Sequence, residues 1–218
     1  VLNRYLLSQF GADDFKTFSV NLKAPSLEQI DEEGVTGFYK QLVTQVSGRC
    51  TISNEKLAQY DLNIVSYLHK INEKREDKIS LKYFQYLALL FTEYYLDEYF
   101  NDRESLLSGL NTFVADFNEQ YPNDLIDTYK KNDLNKIAFW SATGSGKTLL
   151  MHINYYQYIH YSEGKMPDDA TFILLTPKEG LSLQHIDDFK TDGIPAAIYD
   201  KNARRELATK NEISVLEK

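Results

Sequence analysis

The chain has 218 residues, of which 43% are hydrophobic and 26% charged, with a formal net charge of −8. That length allows one full domain and part of a second, and 12 Phe with 16 Tyr can build a core. The single cysteine, Cys50, excludes a disulfide framework and a cysteine-based zinc site, and no apolar run approaches the roughly 18 residues of a membrane span.

The acidity is uneven. Residues 131–218 carry 11 basic and 12 acidic side chains, which leaves 13 and 20 to residues 1–130. A surface that grips nucleic acid by displacing counterions is locally basic, so the first part reads as a structural or protein-contacting module. The start of the chain lacks the basic-then-apolar pattern of a secretory leader, and a soluble, cytoplasmic protein is expected.

Residues 1–30 mix Gly11, Pro25 and several carboxylates and predict no clear element. From Glu32 to about Tyr121 the apolar spacing is helical. It predicts one helix to Val46, a second from near Asn54 to Lys74, a third over Leu81–Phe100 and a fourth over roughly Glu104–Asn118. In the third, Phe84, Leu87, Ala88, Phe91 and Tyr95 form one stripe and Tyr83, Tyr86, Leu90 and Tyr94 another beside it, so burial on most sides is expected. Pro122 and the polar run Asn123–Asn135 then mark a boundary between a mainly α-helical module, residues 1–130, and a second region, residues 131–218.

After Lys136 the pattern changes to short apolar strands, at Ile137–Trp140, Thr171–Leu175 and Ala196–Tyr199, alternating with helices over Leu149–Tyr161 and near Leu181–Phe189. That order implies a parallel sheet, in which ligands sit at the carboxyl ends of the strands. The first strand runs into Ser141-Ala-Thr143-Gly144-Ser145-Gly146-Lys147-Thr148, a phosphate-binding loop in which Ser141 replaces the pattern's first glycine. Gly144 and Gly146 let successive N–H groups, with those of Thr143 and Ser145, point at one anion. Lys147 reaches the β- and γ-phosphates, and Thr148 offers a hydroxyl to Mg²⁺. The following helix adds its positive N-terminal end. ATP and Mg²⁺ are the cofactors expected.

The second segment, Phe172-Ile-Leu-Leu-Thr176-Pro177-Lys178-Glu-Gly180-Leu181-Ser-Leu-Gln184, follows the loop by one helix and one strand. Together, Ala142–Thr148 and Pro177–Gln184 resemble motifs I and Ia of superfamily 2 helicases and translocases. The wording is closest to the motor subunits of type I and type III restriction enzymes and related phage-defence translocases. The resemblance covers roughly residues 136–200. It implies an α/β fold with part of a RecA-like parallel sheet of the P-loop NTPase kind, preceded here by the helical module. It also implies DNA as a partner, contacted through Thr176, Lys178 and the backbone near Gly180, and restriction or defence partner subunits. Members of that superfamily recognise adenine through a glutamine upstream of the loop, and Lys82-Tyr83-Phe84-Gln85 resembles that signature, with Gln120 a weaker candidate.

An acidic pair after an apolar strand, which would hold Mg²⁺ and orient water, is missing: Asp200 ends such a strand, but Asn202 stands where the second acid is needed. The chain is therefore read as an N-terminal fragment of an ATP-dependent DNA helicase or translocase of restriction or defence type, binding ATP without turning it over. A regulatory or scaffold module that uses nucleotide only to set its conformation is the alternative; a P-loop kinase would not need the Pro177–Gln184 pattern. Glu76-Asp77-Lys78 has nuclease-like spacing but reads as a charged turn. Glu93, Asp97 and Glu98 read as a solvated helix face, His152 and His160 as core or surface histidines, and Lys201, Arg204, Arg205 and Lys210 as a solvated basic face.

Overall fold

The structure, a computed structural model, describes residues 1–46, 48, 50–167, 170–199 and 211–217. Asp200, Asn202, Lys201, Arg204, Arg205 and Lys210 lie outside the described residues. The first helices are α1 (Leu2–Gln9), α2 (Phe15–Ser19) and α3 (Gly37–Val46). The Asp14 carboxylate starts α2 by accepting from the N–H groups of Lys16 and Thr17 at 2.9 and 3.0 Å, which satisfies two donors that the helix itself leaves free. Helix α3 begins later than the apolar spacing from Glu32 predicts. The Asp31 carboxylate accepts from Glu33 and Val35 N–H and folds that stretch into a turn. Gly37 then starts the helix where a Cβ would lie 2.6 Å from Leu27 Cα.

Helices α4 (Asn54–Asn72), α5 (Tyr83–Asn101) and α6 (Arg103–Gln120) follow, within a few residues of their predicted spans. Helix α5 is buried from Gln85 to Leu87 and from Leu89 to Leu96, as its two apolar stripes require. The expected solvated face of Glu93, Asp97 and Glu98 is corrected: Glu93 is buried, and Asp97 and Glu98 are half-buried and both paired with Lys56. Glu93 is fully buried and accepts from Asn63 Nδ2 at 2.8 Å, while Asp97 accepts from Tyr60 Oη at 2.6 Å and Lys56 Nζ at 2.9 Å. Asp61 on α4 takes three more bonds, from Thr36 N–H, Thr36 Oγ1 and Tyr86 Oη. Carboxylates persist at such depth because neighbouring elements supply donors, without which each would be strongly destabilising.

The polar linker after Pro122 is held to α6 by two side-chain amides. Asn118 bonds both backbone groups of Ile126, and Asn111 bonds both of Tyr129, each amide imitating a strand partner at 2.7–3.0 Å. Beyond the linker come α7 (Lys147–Ser162), β1 (Phe172–Thr176), α8 (Glu179–Thr191), β2 (Ala196–Ile198) and β3 (Ile213–Glu217).

The chain divides into two compact units. The first comprises Val1–Val65 with Ser80–Leu150, and the second Ser66–Ile79 with Met151–Lys218. The second unit contains a parallel sheet in the order β1-β3-β2, so Ile213–Glu217, which the pattern did not predict, is its central strand. Its core gathers Ile186, Phe189, Ile194, Ala196, Ile213 and Val215, with Met151, Tyr155, Tyr156, Phe172 and Leu174 packed against them. The strand expected at Ile137–Trp140 is a correction: the segment is not a strand, pairs with none among the described residues, and leaves Trp140 fully exposed. Apolar character favours a strand, but only a ladder partner makes one.

Asp192, the C-cap of α8, organises the second unit. Its Oδ1 accepts from Arg75 Nε and Nη2 at 2.8 and 2.5 Å, its Oδ2 pairs with His152 Nδ1 at 2.6 Å, and its carbonyl accepts from Tyr156 Oη at 2.8 Å. His152 is thus a core histidine, packed at a tilt against Phe189 with Nε2 buried and unpartnered. Burial holds its pKa below the ordinary value against the pull of Asp192, whose charge Arg75 already shares.

Candidate functional site

The phosphate loop lies in the first unit and has the backbone that its glycines predict. Gly144 and Gly146 sit at φ +78° and +81°, conformations that cost other L-residues about 1–2 kcal/mol. Ser145 turns back on the loop, its N–H and Oγ both donating to the Ala142 carbonyl at 3.3 and 2.8 Å. Leu150 N–H donates to the Gly146 carbonyl at 3.1 Å, so α7 begins directly after the second glycine. Lys147 and Thr148 therefore stand in the first turn of a 16-residue helix, where the N–H groups lack intrahelical acceptors and the dipole favours an anion. Thr143, Gly144, Lys147 and Thr148 are exposed. The Lys147 amine donates to the carbonyls of Ser141 and Ala142 at 3.2 and 2.9 Å, which holds it folded over the loop.

Gln85 is brought to the same loop from the N-terminal end of α5. Its Oε1 accepts from Lys82 N–H at 2.8 Å, and its Nε2 donates to the Ser145 carbonyl at 3.0 Å. Only 7% of the residue is exposed. A Cβ built on Gly146 would lie 2.4 Å from Gln85 Nε2, so the absence of a side chain at 146 is what admits the amide. Pattern alone did not anticipate the contact; the signature Lys82–Gln85 was the one available signal. Gln120 lines a separate cavity between α1 and α6.

These residues suit a nucleoside triphosphate with Mg²⁺: two left-handed glycines, a mobile-stemmed cation, a hydroxyl and a helix N-terminus converge on one exposed loop. Among the described residues no group of three or more His, Cys, Asp or Glu side chains is arranged to hold a metal ion.

The second motif forms the turn from β1 to α8 in the other unit. Thr176 is 3% exposed, and its Oγ1 lies 2.5 Å from Ser182 Oγ and donates to the Leu216 carbonyl at 3.3 Å. Its hydroxyl therefore fastens the strand end to the helix instead of facing a phosphate. Lys178, the N-cap of α8, and Gly180 are exposed, and nothing lies within 4 Å of a Cβ at 180. Glu76 and Asp77 lie in an exposed turn that Lys78 Nζ closes onto the carbonyls of Asn72 and Arg75, both at 2.7 Å.

No helix among the described residues is long and apolar enough to cross a membrane. A family model described as type III restriction enzyme, res subunit, matches residues 108–216, from within α6 through β3. No curated protein and no solved structure matches the chain.

Proposed function

The chain belongs to the family of the type III restriction enzyme res subunit, and from that membership we propose that it is the ATP-binding part of an ATP-dependent DNA helicase or translocase. Residues 131–218 begin the RecA-like ATPase lobe, and residues 1–130 form the helical module that precedes it. The observation that carries this reading is the position of Lys147 in the first turn of α7, directly after two left-handed glycines.

When nucleotide binds, the loop N–H groups of residues 143–148 and the Lys147 amine hold the phosphates, and Lys147 exchanges the carbonyls of Ser141 and Ala142 for phosphate oxygens. The Thr148 hydroxyl would hold Mg²⁺ from this chain, and the ion would supply charge neutralisation at the phosphates. Gln85 completes the site through its bond to Ser145. DNA meets the Lys178 amine and the backbone at Gly180, both exposed at the N-terminal end of α8. Partner subunits of a restriction or defence complex, and a cytoplasmic setting where DNA is available, complete the proposal.

The test is phosphate release by the full-length parent protein with and without DNA, using Lys147→Ala as the blank. DNA-stimulated release that vanishes in the blank is expected. Nucleotide binding without any DNA stimulation would instead support the regulatory or scaffold reading.

A further inference from the structure

The orientation of the Gln85 amide is fixed by unambiguous partners: a backbone N–H at Lys82 faces its oxygen, and a backbone carbonyl at Ser145 faces its nitrogen. Turning the amide over would set donor against donor and acceptor against acceptor. Lys82 is itself held, its amine 2.7 Å from the carboxylate of Glu28. The amide therefore reaches the loop from an anchored helix start.

Its grip falls on one peptide unit. The Ser145–Gly146 peptide is trans and planar, so directing its carbonyl to Gln85 directs the Gly146 N–H the opposite way, away from α5. The same Nε2 occupies the space that a Cβ at Gly146 would need, so the amide packs directly against this unit only because residue 146 has no side chain. One carbonyl lone pair and one N–H of the amide are already committed, and the side chain is nearly out of solvent.

We propose that Gln85 is a positioning residue for the phosphate loop, setting the Ser145–Gly146 peptide before any nucleotide arrives, and that it acts on the phosphates of every nucleotide alike instead of reading the base. This rests on the nucleotide-binding reading of residues 141–148. It makes the N-terminal end of α5, about 60 residues upstream of the loop, a part of the phosphate site's preorganisation.

Hydrogen exchange on the nucleotide-free 218-residue chain tests the positioning directly. Gln85→Met keeps the side-chain volume and removes both polar groups; exchange across residues 144–147 is expected to rise several-fold while residues 89–95 of α5 keep the parent's rates. Gln85→Glu retains the acceptor for Lys82 N–H, and with it the helix start, and loses only the donor to Ser145, so the same local rise is expected. Unchanged loop exchange in both variants overturns the proposal. Affinities of Gln85→Met for ATP, GTP and inorganic tripolyphosphate are expected to fall by one common factor, about three- to tenfold. A fall for ATP alone, with tripolyphosphate unaffected, overturns the proposal in favour of base reading. Lys147→Ala separates the two levels. If it abolishes tripolyphosphate binding while Gln85→Met binds like the parent, the Gln85 role fails and the site stands; if it has no effect, the site reading itself fails.

Discussion

The Gln85 amide and the Ser145 carbonyl meet at 3.0 Å, and the same amide fills the space that a side chain at position 146 would need. The loop's two glycines are consequently not equivalent. Each has positive φ, but a Cβ at Gly144 meets nothing within 4 Å, whereas one at Gly146 meets Gln85 Nε2 at 2.4 Å.

In urea unfolding, Gly144→Ala is expected to cost about 1 kcal/mol, the strain of a left-handed alanine. Gly146→Ala adds a collision and should cost about 2 kcal/mol or more. Repeating both in a Gln85→Ala background should shrink the gap between them. A gap that persists undiminished would show that the amide is not what position 146 accommodates.

Lys147→Ala should weaken ATP binding at least about tenfold, because a charge-assisted hydrogen bond to phosphate contributes roughly 1.5–3 kcal/mol. Titration calorimetry gives the answer. The alanine variant should fold normally, since the exposed amine donates only to two loop carbonyls.

Acid should destabilise the second unit through His152. Its pKa is lowered in the fold by burial, so the unfolded chain, titrating near the ordinary value of about 6.5, takes up the proton first. The stability gained by keeping His152 neutral is complete above that value and is lost as pH falls below it toward the folded pKa. The groups facing it are Asp192, Asp188 and His185 from α8 and its cap, and Arg75 bonded to Asp192. Thermal midpoints between pH about 8 and about 5.5 should fall less steeply in His152→Gln, which keeps a donor for Asp192. Parallel profiles for parent and variant would exclude His152 as a source.

Removing Asp192 should be severe. It is 1% exposed and joins Arg75 to His152, so Asp192→Ala leaves the buried His152 and the half-buried Arg75 without their acceptor and is expected to cost about 3 kcal/mol. Chemical denaturation measures this, and a loss below about 1 kcal/mol would contradict the network.

If the proposed DNA contact at α8 holds, Lys178→Ala should weaken DNA binding to all sequences alike and flatten its salt dependence by about 0.7–0.9 in log–log slope, the signature of one lost phosphate contact. Fluorescence anisotropy over a range of salt concentrations reads both. Thr176→Val should instead lower stability, since the Thr176 hydroxyl bonds within the turn.

The sequence by itself determined the family, through Ala142–Thr148 and Phe172–Gln184, and the helices from α4 to α8 with their boundaries good to a few residues. Those features are local: a glycine's φ, a 3.6-residue apolar period and a proline after a strand act within one stretch of chain. Tertiary structure alone decided that Gln85 grips the loop, that Glu93 is buried and Asp97 half-buried among donors, and that Thr176 turns inward. It also made Ile213–Glu217 the central strand and left Ile137–Trp140 without a strand partner among the described residues, although the second run is the more aromatic. Each of these depends on a partner distant in sequence. A carboxylate enters a core only where another helix brings a donor, and an apolar run becomes a strand only where a ladder receives its N–H and carbonyl groups.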